Sequence, residues 1–346
     1  MKVLAMVKNG DFENKIPGEL ELQERPIPEV GDEDVLIKIK YSAICGSDPH
    51  IVSGMLDPTL PMDMGHEVSG IVDKLGPNAT KKGLKVGDRV TGNFVRFCGT
   101  CYLCRNGQEN LCAATWGKWD GCQAEYVLWH ESQVYKIPDD VDSIDASLTE
   151  PTAIALHLVE SANIRIGNRV AVVGGGGIGQ LSAQIARISG ASSVTLFEPV
   201  EQKREVALSV GIDYAYDNTK EGLQEIVDGI TDGRGFDNVI ETSGNPKAAE
   251  QALKMTAMGG HVVYPAMFNA DYNLPVNLWN DCYMMEKHIH GSLMSPYSFP
   301  RTVQLLRRLQ LKPLIQKVYK LEDYKQAYDD AISRTHIKIV FDLTDN

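Results

Sequence analysis

The sequence predicts an α/β protein of about two domains, one rich in β-strands and one built on a doubly wound parallel sheet. Its 346 residues exceed the size at which a single hydrophobic core usually stops growing. Up to about residue 150, short alternating runs are broken by Gly, Pro and Asp. From about 153 to 290, apolar runs alternate with amphipathic segments, a pattern typical of βα units and a parallel sheet.

The β-rich region contains several segments in which apolar and polar side chains alternate. This alternation predicts strands over 35–42, 67–76 and 124–130. In the second region, Val170–Val173 predicts a buried strand, and the segment 249–260 is amphipathic. These elements fit a parallel sheet covered by helices.

The last 50 or so residues do not form an independent domain in this interpretation. Helical patterns cover 298–310 and 321–334, and an apolar strand follows over 337–343. This tail is too small to stand alone as a third domain.

Composition and charge exclude several classes of protein. The chain is 43% hydrophobic, contains no apolar run near the roughly 18 residues of a membrane span, and starts without a signal-peptide pattern. Its formal net charge of −12 disfavours a nucleic-acid-binding protein. We therefore expect a cytoplasmic protein without a membrane partner, in which cysteines stay reduced and clusters of them indicate metal or catalytic sites.

A glycine loop follows the strand Val170–Val173. Gly174, Gly176 and Gly179 are in G-x-G-x-x-G register before a helical segment. Such a loop allows a tight turn, the close approach of a pyrophosphate and close helix packing, while the helix start supplies amide donors. The cofactor-binding residues predicted here include the glycines and the residues between them, namely Gly174, Gly176, Gly177, Ile178 and Gly179. A glycine turn in a purely structural βα unit is the alternative.

The identity of the dinucleotide depends on Glu198, which ends the next strand 19 residues beyond Gly179. An acid at this position accepts hydrogen bonds from a ribose 2′-OH and repels a 2′-phosphate. NAD is therefore predicted over NADP. Two cationic residues, Lys203 and Arg204, follow closely, so NADP remains the alternative cofactor. Lys203 is also predicted to contact the cofactor.

Four cysteines are concentrated in a lobe of about residues 95–113. They have the spacing C-x2-C-x2-C-x7-C, with Cys98, Cys101, Cys104 and Cys112. Four thiolates satisfy a tetrahedral Zn²⁺ and leave no open position, which predicts a structural zinc. The spacing differs from that of bacterial ferredoxins, and the loop context differs from that of a redox C-x-x-C motif.

A second group of metal-binding residue types is spread over three segments. Cys45 offers a thiolate, with Ser47 and His50 close behind; His66 and Glu67 are adjacent; and a carboxylate comes from Glu150. Thiolate, imidazole and carboxylate ligands hold Zn²⁺ with one position open for a reacting oxygen. Each residue alone also has an ordinary structural interpretation, such as core packing for a lone cysteine.

Taken together, these motifs resemble one family. The segment GHEVSG, which contains His66 and Glu67, is followed in register by Gly76 and Ala79, and GDRV at 87–90 precedes the cysteine lobe. The whole chain resembles the zinc-dependent medium-chain dehydrogenases, particularly the polyol branch of sorbitol, galactitol-1-phosphate and threonine dehydrogenases.

The resemblance implies a domain organisation and an assembly. Residues 1–152 and 292–346 would form a GroES-like catalytic domain, and 153–291 a Rossmann NAD-binding domain inserted between them. Members of this family use small-molecule alcohols as substrates and assemble as homodimers or homotetramers. Two zinc ions per chain are implied, one catalytic and one structural.

The resemblance also implies roles for the dispersed residues. Cys45 and His66 would be fixed zinc ligands, Glu67 would be a ligand as in polyol dehydrogenases, and Glu150 would bind the zinc directly or hold its water. Ser47 would accept the alcohol proton and pass it through the cofactor ribose toward His50. A zinc-free reductase and a non-enzymatic dinucleotide sensor are disfavoured because all of these residues are present.

The expected substrate is a polyol or polyol phosphate, whose secondary hydroxyl is oxidised reversibly to a ketone. Sorbitol itself is doubtful because Met294 and Ser295 replace an Arg-Tyr pair and Ile51 replaces an aromatic residue. Met294 near Tyr297 resembles the galactitol-1-phosphate branch. A segment containing Cys122 resembles the threonine enzymes, so a threonine-type amino-alcohol or 2,3-diol dehydrogenase remains the alternative.

Five other side chains are candidates for contact with the substrate. Arg96, Lys118 and Arg301 are candidates for phosphate contact, with surface solvation as the alternative. Trp116 and Trp119 are candidates for the wall of the cleft, with ordinary packing as the alternative.

Overall fold

Contacts along the chain separate two structural units in a computed structural model that describes residues 1–114 and 120–345. The first unit comprises Met1–Pro151 and Pro296–Asn346, and the second comprises Thr152–Ser295. Within the described ranges, no helix has the length and apolar character that crossing a bilayer requires. The residues considered above that lie outside the described ranges are Trp116, Lys118 and Trp119.

The helices and strands are numbered in chain order. The strands are β1 (Lys2–Lys8), β2 (Glu19–Glu24), β3 (Asp34–Ala43), β4 (Met62–Asp63), β5 (Glu67–Leu75), β6 (Arg89–Gly92), β7 (Tyr126–His130), β8 (Val134–Lys136), β9 (Arg169–Val173), β10 (Ser193–Phe197), β11 (Tyr214–Tyr216), β12 (Phe236–Glu241), β13 (Thr256–Tyr264), β14 (His288–Gly291), β15 (Ile315–Tyr319) and β16 (Lys338–Asp342). The α-helices are α1 (Ser47–Val52), α2 (Tyr102–Arg105), α3 (Ser143–Ala146), α4 (Thr149–Ser161), α5 (Gly177–Ile188), α6 (Glu201–Ser209), α7 (Leu223–Thr231), α8 (Pro246–Met255), α9 (Phe299–Leu305) and α10 (Tyr324–Ser333).

The first unit is built on a seven-stranded sheet in which most neighbours are antiparallel. Its order is β15-β16-β3-β5-β6-β8, and β7 also pairs with β3. Strand β16, from the end of the chain, pairs antiparallel with β3, and β3 pairs antiparallel with β5. The buried core combines early residues such as Ile37 and Trp129 with Phe341 of β16. The C-terminal tail therefore packs into the β-rich core rather than standing alone.

The second unit contains a parallel sheet of six strands in the order β11-β10-β9-β12-β13-β14. Numbered within the unit, this order is 3-2-1-4-5-6, the arrangement of doubly wound dinucleotide-binding folds. The strand order reverses between β9 and β12, so their carboxyl ends flank a crevice where ligands bind in such folds. The predicted α/β fold class is confirmed for both parts of the chain.

Two predicted elements end earlier than their sequence patterns. Within the amphipathic segment 249–260, α8 ends at Met255 and β13 begins at the next residue, because Thr256 already pairs with Phe236 of β12. The helical pattern over 298–310 forms α9 only to Leu305, followed by a 3-10 turn. Tertiary strand pairing overrides local helical periodicity in the first case.

The glycine loop joins β9 to α5, and it is tightly packed around Gly179. Gly174 has a φ of +100°, in the left-handed region that favours glycine. A β-carbon on Gly179 would lie 1.8 Å from the carbonyl oxygen of Gly174. At Gly176, by contrast, a β-carbon would meet no described atom within 4 Å. Helix packing therefore requires glycine at position 179, whereas the space beside Gly176 is open.

We expect Gly179→Ala to destabilise the protein by about 3 kcal/mol, because the added methyl group collides with backbone that cannot move aside cheaply. Gly176→Ala is the matched control and should change the free energy of unfolding by no more than about 0.5 kcal/mol. Urea unfolding of both variants measures the difference. Equal stabilities would contradict the packing role assigned to Gly179.

Candidate metal centre and nucleotide-binding loop

Cys45, His66 and Glu67 meet beside the ends of two paired strands. Cys45 follows β3, and His66 immediately precedes β5, whose first residue is Glu67. The antiparallel register places Ala43 opposite Glu67. One donor atom from each of the three residues lies within 4.8 Å of the other two. Strand pairing therefore brings a sulfur, an imidazole nitrogen and a carboxylate oxygen into one buried place.

A buried hydrogen-bond network orients this group. Asp48 Oδ2 accepts from the backbone amide of Cys45 at 3.0 Å and from Gln123 Nε2 at 3.2 Å. Gln123 Oε1 in turn accepts from the hydroxyl of Tyr328 in α10 at 2.8 Å. Asp48 Oδ1 has no hydrogen-bond partner among the described residues and lies 3.6 Å from Nδ1 of His66. This contact leaves the other nitrogen of His66 for an ion, as carboxylate–histidine pairs do at metal centres.

Glu67 is paired with a lysine from the last strand. Lys338 Nζ donates to both carboxylate oxygens of Glu67, at 2.6 Å to Oε2, and to the carbonyl oxygen of Ile44 at 3.3 Å. Lys338 is only 5% exposed and Glu67 is fully buried. Burial alone lowers the pKa of Lys338, but the charges of Glu67 and Cys45 outweigh it and raise that pKa. Lys338 is therefore a charged part of the site.

Glu150, in the first turn of α4, is a buried neighbour of the three donors but lies outside their 4.8 Å set. Burial raises the pKa of Glu150 to about 8. The charge of His66 lowers this pKa by a smaller amount, and the charge of Cys45 raises it. Burial likewise raises the pKa of Cys45 to about 12, and Glu67 adds to the effect. Both groups therefore hold their protons at pH 7 in the absence of a cation, and a bound dication would offset the charge of their deprotonated forms and release these protons. The donor set and its charge fit zinc.

Ser47 and His50 lie three residues apart on α1, so they share one face of the helix. The Ser47 hydroxyl makes a hydrogen bond that lowers the pKa of the Cys45 thiol against the larger effect of burial. The pKa of His50 is lowered by burial and then by Arg334. The ring of His50 is therefore neutral at pH 7 and able to accept a proton.

The four cysteines of the lobe converge. Cys98 Sγ lies 3.5 Å from Cys112 Sγ and 3.9 Å from Cys104 Sγ, and one sulfur from each of the four lies within 4.8 Å of the others. A tetrahedral ion with bonds of 2.3 Å to sulfur needs separations of about 3.8 Å. None of the described cysteines forms a disulfide. Their spacing and chemistry fit a four-sulfur zinc.

The cysteine lobe is held to the C-terminal part of the first unit by Tyr297. The Tyr297 hydroxyl donates to the carbonyl oxygen of Cys104, and its backbone amide donates to Glu109 Oε1 at 2.8 Å. Tyr297 adopts a φ of +49°, uncommon for a bulky residue. These two contacts give the lobe an anchor outside its own loop.

In the second unit, Glu198 lies against the glycine loop. Its carboxylate accepts from the amide of Gly175 at 2.6 Å and from the amide of Val200 at 2.9 Å. Arg204 Nη1 donates to the carbonyl oxygens of Glu198 and Pro199, both at 2.7 Å. Lys203 is buried in α6. Glu198 therefore lies beside the glycine loop, as predicted. One nitrogen of the Arg204 guanidinium is already hydrogen-bonded to two backbone carbonyl oxygens.

The other residues considered from the sequence fall into different environments. Ile51 and Cys122 are buried in the hydrophobic core of the first unit. Ser295 is buried, whereas Arg96 and Arg301 are exposed. Met294 has a φ of +53° in the segment that precedes Tyr297.

Sequence reasoning missed four polar residues of the metal centre: Asp48, Gln123, Tyr328 and Lys338. Two signals were available. Asp48 follows Cys45 by three residues, and Lys338 is a charged residue at the start of the mainly apolar final strand. Neither signal identifies the partner, because the partners are distant in sequence.

We expect Lys338→Met to lower the free energy of unfolding by about 3–5 kcal/mol, because it leaves the Glu67 carboxylate buried without its partner. The double variant Glu67→Met/Lys338→Met should recover much of this loss, since both charges are then removed. Urea unfolding provides the measurement.

Lys320→Met is the matched control for this prediction. Lys320 is 45% exposed and pairs with Asp345 at 2.8 Å and Asp342 at 3.4 Å. Its loss should cost no more than about 1 kcal/mol. If Lys338→Met costs no more than Lys320→Met, the buried pair does not have the importance assigned to it.

Comparison with known families accounts for both units. Residues 31–139 match the alcohol dehydrogenase GroES-like domain, and residues 177–308 match the zinc-binding dehydrogenase family. The chain is 33% identical to a sorbitol dehydrogenase of Halalkalibacterium halodurans, with 98% of each covered. It is 32% identical to a D-arabitol-phosphate dehydrogenase of Enterococcus avium, covering 91% of this chain and 92% of the relative. It is 31% identical to an L-threonine 3-dehydrogenase of Chromobacterium violaceum, with 99% of each covered.

Solved structures agree over nearly the whole chain. A protein described as a zinc-binding dehydrogenase from Clostridium scindens superposes with a TM-score of 0.93 at 41% identity, over 99% of each chain. Another described in the same way, from Sinorhizobium meliloti and bound to NADP, gives 0.88 at 29% identity, over 99% of this chain and 100% of its own. Galactitol-1-phosphate dehydrogenase from Escherichia coli gives 0.86 at 26% identity, over 99% of each chain.

These matches confirm the family expected from the motifs, with a GroES-like part and a Rossmann part. The chain therefore belongs to the zinc-binding dehydrogenase family and is an oxidoreductase that acts on alcohols.

Proposed function

We propose that this enzyme is a zinc- and NAD-dependent dehydrogenase that reversibly oxidises a secondary hydroxyl of a polyol or polyol phosphate to a ketone. The observation that carries the proposal is the buried donor set of Cys45, His66 and Glu67, whose ligating atoms lie within 4.8 Å of one another. A sulfur, a nitrogen and an oxygen leave the fourth position of a tetrahedral zinc open for a substrate oxygen.

A zinc ion held by this set would supply a Lewis acid that lowers the pKa of the substrate hydroxyl, so that the hydroxyl carbon can transfer hydride to the nicotinamide cofactor. The residues of the chain then have separate tasks. Cys45 and His66 hold the ion, and Glu67 completes the set while Lys338 offsets its charge. Glu150 binds the ion directly or holds its water. Ser47 accepts the alcohol proton, and His50 receives it one turn later on the same helix.

NAD is the proposed cofactor. Glu198, next to the glycine loop, supplies carboxylate oxygens for a ribose 2′-OH and a negative charge that repels a 2′-phosphate. The guanidinium of Arg204 donates to two carbonyl oxygens, which reduces its capacity to hold a phosphate. The predicted contacts are Gly174, Gly176, Gly177, Ile178, Gly179, Glu198 and Lys203. NADP, which the Sinorhizobium meliloti protein binds, is the less favoured cofactor.

The polyol class is supported by relatives that act on sorbitol and D-arabitol phosphate and by the likeness to galactitol-1-phosphate dehydrogenase. The second candidate is a threonine-type amino-alcohol or 2,3-diol dehydrogenase. It is supported by the L-threonine 3-dehydrogenase relative, whose sequence identity to this chain is 31%, close to the 33% of the sorbitol dehydrogenase. Both substrate classes present a secondary hydroxyl that suits the same zinc chemistry.

The proposal also covers the cysteine lobe, the domain bounds, the oligomeric state and the location in the cell. Cys98, Cys101, Cys104 and Cys112 bind a structural zinc, so each chain carries two zinc ions. The catalytic domain comprises 1–152 and 292–346, and the cofactor domain comprises 153–291. The enzyme is a homodimer or homotetramer, as the family resemblance implies, and is cytoplasmic, as the sequence near the N-terminus suggests.

A panel of alcohols scanned for NADH and NADPH formation by the zinc-loaded enzyme tests the substrate and the cofactor. Polyols or polyol phosphates should give the highest kcat/KM, and NAD should exceed NADP. A panel in which L-threonine or a 2,3-diol ranks first would move the function to the second candidate. No turnover with any secondary alcohol would overturn both.

Cys45→Ser should abolish turnover and remove one zinc per chain while leaving NAD binding intact, because only the open site loses a ligand. Cys101→Ser should instead lower the melting temperature first, with activity lost as a consequence. Metal analysis, NAD titration and thermal unfolding distinguish the two variants. Cys282→Ser, at an exposed cysteine, is the control and should match the wild type. Near-wild-type turnover in Cys45→Ser would refute the catalytic zinc assignment.

The dependence of kcat on pH should reflect the protonation of the His50 ring. Because burial lowers its pKa below the usual 6.5, the ring stays neutral at pH 7, and kcat should fall only as the pH drops through that lowered value. His50→Asn should remove this acidic limb. Ser47→Ala should lower kcat by about 100-fold or more with zinc retained.

Ser53→Ala, at the other end of the same helix, controls for changes in the helix itself. Rates are compared from pH 5.5 upward, with zinc content measured at each pH so that metal loss is recognised. An unchanged acidic limb in His50→Asn would remove His50 from the relay.

A further inference from the structure

Three histidines occupy neighbouring positions on the last two strands of the six-stranded sheet. His261 lies in β13, and His288 and His290 lie in β14. The parallel register pairs His261 with His288, and Val263 with His290. Since side chains alternate along a strand and paired residues share a face, the three rings project from the same face of the sheet.

The rings are close enough to share an ion. The centroid of the His261 ring is 4.4 Å from that of His288 and 5.3 Å from that of His290. His261 Nδ1 lies 3.1 Å from His290 Nε2, and one nitrogen from each ring lies within 4.8 Å of the others. Bonds of about 2.0–2.1 Å to a tetrahedral ion need nitrogens about 3.3–3.4 Å apart. His288 is exposed, so its ring turns toward an ion at little cost.

The second nitrogen of His261 also has a partner. Asn163 Nδ2 lies 3.3 Å from His261 Nε2. Ligating histidines usually donate their other ring N–H to an oxygen, and rotation of the Asn163 amide would present its Oδ1 for this purpose.

We propose that His261, His288 and His290 bind one divalent transition-metal ion, of the borderline class of Zn²⁺ and Ni²⁺ that imidazole ligands suit. This third site lies within the second unit and is independent of the dehydrogenase chemistry. Three imidazoles leave a fourth position for water. In the part of the chain that the structure describes, β14 lies at the end of the sheet beside β13, so the ion would join these two strands.

Equilibrium dialysis of the untagged, zinc-loaded enzyme against micromolar Zn²⁺, followed by metal analysis, tests this site. The wild type should retain one more zinc per chain than His288→Asn/His290→Asn. His336→Asn is the matched control, since His336 is a partly exposed histidine next to Asp330 and outside the cluster. It should retain the wild-type metal content. Ni²⁺ should raise the melting temperature of the wild type and the control but not of the double variant.

Equal zinc content in the wild type and the double variant would overturn the proposal, as would loss of the same zinc in His336→Asn. Dehydrogenase activity and the melting temperature without added metal verify that the variants are folded. If the double variant is misfolded, His288→Asn alone, at the exposed position, is compared in the same way. Wild-type metal content in this folded variant, together with an unchanged Ni²⁺ effect, would likewise reject the site.

Discussion

Lys338 and Glu67 join the last strand of the chain to the strand that begins at the metal centre, with β3 between them. Removing two charges from water costs several kcal/mol for each ion, and a single contact does not offset that cost. Here the ammonium contacts both carboxylate oxygens and the carbonyl oxygen of Ile44. The pair therefore requires that β16, β3 and β5 keep one arrangement. The same arrangement places Cys45 and His66 beside Glu67, so the geometry of the proposed zinc site depends on the buried pair.

The C-terminal tail thus contributes more than apolar packing to the first unit. It supplies Lys338, and through α10 it supplies Tyr328, whose hydroxyl starts the chain of hydrogen bonds to Gln123 and Asp48. Polar groups buried in this way are stabilising only when each has its partner. A first unit without the tail would leave the Glu67 carboxylate and the Gln123 amide oxygen unpaired in its core. This explains physically why the segment after the second unit returns to the first.

How far the sequence predicts each feature depends on how local its cause is. The glycine loop, the helix after it and Glu198 lie within one βαβ segment, where turn sterics and strand ends define the pattern, and the structure has the predicted strand, loop and helix there. The cysteine lobe is equally local. Lys338 and Tyr328 could not be assigned from the sequence, because 271 residues separate Lys338 from Glu67 and 205 separate Tyr328 from Gln123. A buried lysine in an apolar strand signals that a partner exists, but only the fold identifies it.

The same difference between local and distant residues distinguishes the two zinc sites proposed for the first unit. The four cysteines of the lobe come from one segment of fifteen residues, so the turn itself brings their sulfurs together, with Tyr297 as an outside anchor. The donors at Cys45, His66 and Glu67 lie at the ends of two paired strands, and their surroundings come from α4, α10 and β16. Their distances therefore respond to packing throughout the first unit. A site whose ligands are distributed over several elements can keep a coordination position open, because no single loop closes around the ion. We infer that the dispersed set is the one suited to chemistry and that the conspicuous cysteine lobe is suited to holding the structure.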